Sequence, residues 1–502
     1  MISIKKLILG FLASGLILSE SYAQTSYFED ALRFSQFRST GSARINAIGG
    51  AQMSLGGDIS NIHGNAAGLG FFRRSEFSIS PSFGTWNSES NFLGRFQDDR
   101  TPNFSIPNLG VVISRPKGEL QPGSFRGGSF GISFNRTANF NSQFGYFSGN
   151  ERDIPGLNNS LLDFYINQYT NFGEPPVGAT DGLVLDIELV QGNPASGYIK
   201  DPEYALGNPF NRDELIITEG GINQTSFSYG ANFNNKIFIG AGLGISSVNF
   251  FQNRIYGEEF RDEQDEEALY YSIEDNTQIN GFGANINFGI IYKPIESINL
   301  GFNFKSPTWY RLNKETDANI IGDFFTTTGQ FEFTERSDSD LFINTTTLST
   351  PLTLSAGATF FVGKNGFISA DVDYLDYSQN RISSRDFDTS FENSDIRNAL
   401  GSTFNYRVGG EYRINIWRLR GGYGFYGNPL VDDSFDRTTQ QISGGVGVKL
   451  RKMYVDFALI NSQFNTLYNS YAIFNNSGQN VGPFTETKNN MTQGMLTVGF
   501  NF

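Results

Sequence analysis

The chain has 502 residues with no Cys and a single His, so disulfides, thiol chemistry, a Cys-linked lipid anchor and multi-His metal sites are excluded. A formal net charge of −14 disfavours nucleic acid as a partner. Aromatic residues make up 15% of the chain and charged residues only 18%, beside 57 Gly. This composition suits the wall of an outer-membrane β-barrel, although a secreted β-sandwich or propeller would also allow it.

The N-terminus has the order of a secretory signal peptide. Lys5-Lys6 precede an apolar run from Leu7 to Leu18, and Ser21-Tyr22-Ala23 places small residues where a signal peptidase reads. The run is shorter than the roughly 20 residues of a spanning helix. We therefore predict that residues 1–23 are a signal peptide, cleaved after Ala23. Its loss removes two Lys and one Glu, which changes the net charge from −14 to −15. Such an acidic surface is compatible with facing lipopolysaccharide through divalent cations.

Residues 24–73 do not have the pattern of a barrel wall. Tyr27 to Phe37 shows helical spacing, with Tyr27, Ala31, Phe34 and Phe37 toward one side. A stretch rich in Gly and small residues follows, and period-two alternation begins only at Arg74. We predict that residues 24–73 form an N-terminal hatch with short helices, which plugs the barrel.

From Arg74 onward, apolar and polar residues alternate in segments separated by turns. The fourteen candidate strands are residues 74–86, 104–114, 128–140, 221–233, 237–252, 277–293, 298–307, 351–362, 367–378, 402–413, 417–427, 438–450, 453–464 and 485–502. The pattern predicts an all-β fold, in which residues 74–502 form a transmembrane antiparallel barrel of about 14 strands.

The lengths of the connections favour a barrel over a soluble sandwich. Five of the six even-numbered connections are tight, whereas the odd-numbered ones are mostly long, as expected for periplasmic turns and extracellular loops. The last strand ends on Phe502, and a terminal aromatic residue resembles the signal that the barrel-assembly machinery recognises. We therefore expect a multi-pass barrel in the outer membrane of a Gram-negative cell, with that machinery and the outer-membrane lipids as partners.

Several motifs resemble the FadL/TodX family of outer-membrane transporters of hydrophobic compounds. The hatch carries Gly41–Ala51 and then Asn65-Ala66-Ala67-Gly68-Leu69, which resembles the family's Asn-Pro-Ala-Gly-Leu motif with Ala66 in place of Pro. Further similar stretches follow in the same order as in the family, at Leu300–Pro307, Ser369–Ser378, Val408–Arg413, Leu419–Tyr423 and Asn428-Pro429.

The resemblance implies a plugged 14-stranded barrel that takes up long-chain fatty acids or aromatic hydrocarbons by passive diffusion. In that family, extracellular loops catch the ligand, an apolar pocket receives it, and it leaves through a gap in the wall. The long segments 142–219 and 308–350 are where such a capture surface would lie. The resemblance implies no cofactor.

Other motifs have a plain structural interpretation beside a functional one. We expect His63 to form a hydrogen bond between hatch and wall rather than to touch a ligand. Gly240-Ala241-Gly242-Leu243-Gly244 is similar to a nucleotide loop but lies inside an alternating strand, where small residues allow close contact. The acidic run from Glu258 to Glu267 suits a solvated loop better than a Ca²⁺ site, because it lacks regular ligand spacing.

Strand parity points a set of charges into the lumen: Asp371, Asp373, Arg407, Glu411, Arg413, Arg418 and Arg420. Such charges usually neutralise each other or hold a plug. Alternatively, Arg407 or Arg420 pairs with the carboxylate of a substrate, which suits the bidentate guanidinium. No side-chain arrangement indicates a metal site or a hydrolytic mechanism, and we expect a non-enzyme.

Two functions therefore remain in view, with an outer-membrane enzyme as a distant third. The first is a channel for hydrophobic small molecules such as long-chain fatty acids. The second is a structural or accessory subunit of a larger outer-membrane protein assembly. A continuous apolar pocket leading to a gap in the wall would favour the channel. A filled lumen with conspicuous exposed loops would favour the subunit.

Overall fold

The computed structural model describes most of the chain, including all of the predicted barrel wall. The described residues are 27–36, 38, 40–118, 121–149, 160–204, 207–262, 264–326, 328–432, 435–473 and 482–502. The predicted signal peptide, Phe37 of the predicted helical stretch and Glu263 of the acidic run lie outside these residues. The predicted domain boundaries at residues 23 and 73 stay predictions.

Strands dominate the described residues. They are β1 (Glu76–Phe92), β2 (Arg95–Pro116), β3 (Phe125–Asn139), β4 (Ser142–Phe147), β5 (Val190–Asn193), β6 (Gly197–Lys200), β7 (Asn211–Phe233), β8 (Ile237–Arg261), β9 (Glu267–Ile295), β10 (Ile298–Lys305), β11 (Trp309–Phe325), β12 (Phe331–Asp338), β13 (Phe342–Ser349), β14 (Thr353–Val362), β15 (Gly366–Asp376), β16 (Arg381–Ser384), β17 (Ser402–Ile414), β18 (Trp417–Tyr426), β19 (Thr439–Lys449), β20 (Met453–Asn469) and β21 (Phe484–Asn501).

The helices are short. They lie before the first strand or in the segments that connect the strands. They are α1 (Tyr27–Ser35), α2 (Ala43–Asn46), α3 (Leu161–Phe172), α4 (Leu183–Asp186) and α5 (Ser390–Ala399), together with 3₁₀ turns at Ile59–Ile62, Ala66–Phe71, Thr180–Gly182 and Tyr377–Gln379. Among the described residues, no helix combines the length and the apolar character needed to cross a membrane.

The wall is a closed antiparallel barrel of 14 strands. Closure comes from β1, which pairs with β2 on one side and with β21 on the other. Two wall strands are interrupted at a proline: Pro307 separates β10 from β11, and Pro351 separates β13 from β14. Proline has no N–H to donate to the ladder, so a break at these points is expected.

All fourteen predicted strands are present, and the predicted fold class is confirmed. The predictions were too short at the extracellular ends: β2 begins at Arg95 rather than at residue 104, and β7 begins at Asn211 rather than at residue 221. Above the bilayer the outer face of a strand meets water and the inner face packs on apolar helices, so the alternation of apolar outer and polar inner residues is lost while the backbone ladder continues. The segment 308–350, predicted as a loop, contains β11, β12 and β13 for the same reason.

The outer face of the wall is apolar and the inner face is polar. On β8, Ile237, Ile239, Leu243 and Ile245 are exposed, and they alternate with residues that face the interior. Exposed aliphatic and aromatic side chains on the outside of a closed barrel are in contact with lipid. The protein is an outer-membrane β-barrel of a Gram-negative cell.

The interior is filled at three levels. At the extracellular end, α3, α4 and Tyr471 pack on the upper parts of β8, β9 and β11. Below them, α1 buries Ala31, Leu32 and Phe34 against the wall and α5. At the periplasmic end, the hatch forms small apolar clusters with the wall around Ile45, Ile59 and Leu69.

Candidate functional site in the barrel lumen

The hatch meets the wall through bare backbone. A Cβ added to Gly409 or Gly422 would overlap the backbone of Ile48, because the hatch lies directly against these two neighbouring strands. Gly49 itself has a positive φ of +68°. A Cβ added to it would lie 2.7 Å from the carbonyl oxygen of Tyr423. The glycines of the wall and of the hatch therefore permit an approach that any side chain would prevent.

Asn65 joins the hatch motif to the rest of the hatch and to the wall. Its Nδ2 donates to the carbonyl oxygens of Met53 at 2.7 Å and Phe302 at 3.3 Å. Its Oδ1 accepts from the N–H of Ala67 at 3.1 Å and so caps the 3₁₀ turn Ala66–Phe71. Ala66, Ala67, Gly68 and Leu69 are all buried. Ala66 occupies the first position of this turn, where a proline is also compatible with the backbone.

The two predicted ligand-binding arginines are both paired with carboxylates of the protein. The Arg407 guanidinium lies 2.7 Å from Asp373 and 3.7 Å from Asp371, and all three side chains are fully buried. Asp371 in turn accepts from the backbone N–H groups of Gln52 and Met53 in the hatch, at 2.7 and 2.9 Å. Arg407 thus belongs to a network that links the wall to the hatch.

Arg420 has an equivalent environment. It lies 2.8 Å from Glu411 and 2.6 Å from Asp456, and its side chain is only 3% exposed. Glu411 is also 3.5 Å from Arg44 of the hatch, which contacts Asp58 at 3.4 Å. Removing one partner of such a buried ion pair would leave an uncompensated charge. The sequence-based assignment of Arg407 or Arg420 to a ligand carboxylate stays a prediction.

A cavity between hatch and wall, which the sequence analysis did not identify, contains two further cations. Its volume is about 100 Å³, and Arg38 and Lys305 both line it. The rest of the lining includes Phe34, Gln52, His63, Gln224, Asn303, Tyr310 and Leu375. Arg38 rests 4.8 Å from the centre of the Phe464 ring, and burial lowers the pKa of Arg38. Within the described part of the chain, neither cation has a carboxylate partner.

His63 lies at the edge of this cavity. Its Nε2 is 3.0 Å from the carbonyl oxygen of Thr40, a contact within the hatch and not with the wall as predicted. Its Nδ1 has no partner among the described residues. Burial lowers the pKa of His63 to about 4, so the ring is neutral at physiological pH. The inward parity of Lys305 was readable from the sequence, but nothing in the sequence showed that its neighbours leave it unpaired.

The upper part of the wall has a seam between β2 and β3–β4. Backbone pairing of β2 with β3 covers Asn108 to Pro116, and β4 pairs with β7 instead. Side chains bridge the seam: Asp99 accepts from the N–H of Gly145 at 2.8 Å, and Asn103 donates to the carbonyl oxygen of Asn141 at 3.1 Å. Pro102 and Pro107 on β2 are the sequence signal of this unpaired edge.

The remaining motifs have structural roles. Gly240, Gly242 and Gly244 lie within β8, and Gly240 faces the backbone of Ala66 and Ala67. Glu258 departs from the predicted solvated loop. It is fully buried 3.3 Å from Arg212 and accepts from the hydroxyl groups of Tyr256 and Tyr271, each at 2.6 Å. The described residues contain no group of His, Asp or Glu arranged to hold a metal ion.

Solved structures with the same fold include a toluene transporter and a FadL homologue. A Pseudomonas aeruginosa FadL homologue has a TM-score of 0.52 and 11% identity over 93% of this chain and 99% of its own. The Pseudomonas putida toluene transporter TodX has a TM-score of 0.53 and 11% identity over 93% of this chain and 100% of its own. These similarities confirm, at the level of the fold, the resemblance to the FadL/TodX family.

A search of curated protein sequences gave no match. A family model, in contrast, covers residues 203–461 and so extends from the extracellular segment before β7 to within β20. This match includes more than half of the 502 residues. The chain is therefore a member of the BamG family.

Proposed function

We propose that this barrel serves as a structural or accessory subunit of a larger outer-membrane protein assembly, without a catalytic role. The observation that carries the proposal is the filled lumen. Such a subunit needs a rigid closed barrel that presents its surfaces to other proteins, and it needs no passage. Membership of the BamG family is compatible with this role, while the likeness to TodX concerns the fold alone.

Three layers of the chain fill the lumen: the hatch, α1 above it, and α3 with α4 at the extracellular end. The hatch is fixed to the wall by Asn65 and by the carboxylate of Asp371. Above it, α1 is held by a bidentate pair between Glu29 and Arg437, at 2.7 and 3.0 Å. The cavity lined by Arg38 and Lys305 measures about 100 Å³, whereas sites for small organic ligands are typically about 300–1,000 Å³.

The test is the state of the protein in its own membrane. We expect mild detergent to extract it in a complex well above its 55.7 kDa, together with other outer-membrane proteins in a fixed ratio. Depletion of the protein should lower the amounts of those partners while leaving fatty-acid uptake unchanged. Extraction as a monomer under several detergents, together with impaired uptake on depletion, would contradict the proposal.

A second candidate is the passive uptake of hydrophobic small molecules such as long-chain fatty acids. Two observations favour it. The seam between β2 and β4 is bridged by hydrogen bonds between side chains of β2 and backbone groups across it, and the luminal cavity presents Lys305 and Arg38 without carboxylate partners among the described residues. An acidic head group would be attracted there, and the apolar tail would have to displace part of the lumen filling.

Uptake separates the two candidates. Vesicles or cells carrying the protein should accumulate a labelled long-chain fatty acid faster than those carrying an unrelated barrel, if uptake is the function. A disulfide between Cys residues introduced at Gln97 and Gly145, where the Gln97 amide nitrogen lies 2.7 Å from the position of a Gly145 Cβ across the seam, should then block the gain reversibly once it has formed. No gain in uptake by the reduced protein would reject the channel candidate.

A further inference from the structure

The periplasmic edge of the barrel is strongly basic although the protein as a whole is acidic. The short turns carry cations on the part of the edge from β17 to β20: exposed Lys449, Arg451 and Lys452, and half-buried Arg418. Arg74 at the start of β1 lies beside them, since it contacts the carbonyl oxygen of Arg451 at 3.4 Å. The neighbouring β2–β3 turn adds Arg115, Lys117 and Arg126. We name these eight residues the basic arc.

Carboxylates do not neutralise the basic arc. Within the described residues, none of its members forms an ion pair with Asp or Glu. The nearest wall carboxylates, Glu76, Glu411 and Asp456, are buried and have other partners: Glu76 accepts from Tyr454, and the other two pair with Arg420. Glu119, in the β2–β3 turn, lies outside the described residues.

The charge is concentrated on one side. The other three periplasmic turns have one lysine each, Lys236, Lys293 and Lys364, and Lys293 is paired with Glu296. Arg73 adds one exposed cation beside Lys236, since it donates to Asn235 at 2.9 Å. Phospholipid head groups surround a barrel evenly, so a lipid-binding role alone would favour an even ring of cations. A one-sided arc is what a single macromolecular partner requires.

We propose that the basic arc is the docking surface for an acidic face of a periplasmic protein. The inference rests on the proposed role as a subunit of an assembly and identifies one partner by its charge. Unpaired Arg and Lys at the rim of an interface mainly accelerate and orient association, and their effect falls with ionic strength. The contact is therefore salt-sensitive, and it approaches the barrel from beneath β17 to β3.

The experiment uses the full protein in nanodiscs of phosphatidylcholine and a fluorescent peptide of ten glutamates as the probe. The arc variant combines Arg74→Glu, Arg451→Glu and Lys452→Glu. The control combines Lys236→Glu, Lys293→Glu and Lys364→Glu, which changes the net charge equally on the opposite side. We expect the arc variant to bind the peptide at least about tenfold more weakly and the control to lose less than about threefold.

Equal losses in the two variants, or no binding by the parent protein, would overturn the proposal. Nanodiscs that mix phosphatidylcholine and phosphatidylglycerol distinguish the lipid alternative: if the parent retains phosphatidylglycerol on extraction and the arc variant loses it while the control keeps it, lipid occupies the arc and the proposal is wrong. The composition of the native complex distinguishes a failure of this proposal from a failure of the assembly role. Loss of one periplasmic component from the complex of the arc variant supports the proposal, while an unchanged complex rejects it and leaves the assembly role intact.

Discussion

The carboxylate of Asp371 on the barrel wall accepts a hydrogen bond of 2.7 Å from the backbone N–H of Gln52 in the hatch. The same oxygen accepts from Met53 at 2.9 Å, and the carboxylate also faces Arg407. One buried acid therefore satisfies two backbone donors of the hatch and a guanidinium of the wall. Because all of these groups are buried, none of them gains water when the acid is removed.

We therefore expect Asp371→Ala to destabilise the hatch strongly. Removing one partner from a buried charged network lowers the free energy of unfolding by about 3–5 kcal/mol. The measurement is urea unfolding in detergent, followed by the shift of the folded band on unheated gels. Asp376→Ala is the matched control, because Asp376 accepts hydrogen bonds from its neighbours Ser378 and Gln379 at the end of the same strand. Equal stability of both variants would contradict the assigned role.

Replacement of Asn65 tests the hatch motif itself. Asn65→Leu removes both the donor to Met53 and the acceptor for Ala67, and leaving such buried groups unpaired costs about 1–3 kcal/mol each. Asn65→Ser keeps a hydroxyl that can accept from Ala67 and places no charge against the carbonyl oxygens of Met53 and Phe302, so its loss of unfolding free energy should be smaller. Leakage of a small antibiotic into cells should follow the same order. If neither stability nor leakage changes, Asn65 does not hold the hatch.

Two adjacent glycines provide a test of the close contact between hatch and wall. Gly422 faces inward against Ile48 and Gly49, whereas a Cβ on Gly421 would meet no atom within 4 Å on the outer face. Gly422→Ala should therefore cost about 1–3 kcal/mol, as overpacking does. Gly421→Ala should change the unfolding free energy by less than about 0.5 kcal/mol. A similar effect of the two substitutions would mean that the hatch does not press on this part of the wall.

The sequence predicted the wall well because lipid imposes a strict alternation on it. Tyr406, Val408 and Leu419 had to face outward. Alternation along β17 and β18 therefore placed their neighbours Arg407 and Arg420 in the lumen, as the structure has them. Parity says which face a side chain occupies but not what neutralises it. The partners of Arg407 come from β15 and, through Asp371, from residues more than 300 positions away in the hatch.

The cavity could not be predicted from the sequence for the same reason. Lys305 faces the lumen by parity just as Arg407 does, and only the three-dimensional packing shows that one is unpaired and the other paired among the described residues. The burial of Glu258 at the extracellular end was missed in the same way, because its position in an acidic run predicted a solvated loop. Its pairing with Arg212 is a contact between neighbouring strands that alternation did not reveal, because the strands extend beyond the apolar belt.

The stability of the hatch should depend on pH through His63. Burial lowers the pKa of its ring to about 4, below the value near 6.5 that an unfolded chain has. The unfolded state therefore binds the proton first as the pH falls. The contribution of the neutral ring is complete above about pH 6.5 and is lost as the pH falls toward 4. Melting temperatures between pH 7.5 and 4 should fall more steeply for the parent than for His63→Gln, and parallel curves would exclude His63 as the cause.

The last prediction concerns where an acidic ligand would bind, if the luminal cavity receives one. The sequence pointed to Arg407 or Arg420, but each of these is already within 2.8 Å of a protein carboxylate. A ligand carboxylate gains most beside a cation without such a partner, which favours Lys305. A charge-assisted hydrogen bond contributes about 1.5–3 kcal/mol, so Lys305→Gln should weaken binding of a fatty acid to the purified protein roughly 10- to 150-fold. Arg407→Gln and Arg420→Gln should instead lower the melting temperature and leave the affinity nearly unchanged. The reverse pattern would favour Arg407 or Arg420 as the ligand site. If the parent protein binds no fatty acid, the ligand proposal is wrong and the assembly role is the function to test.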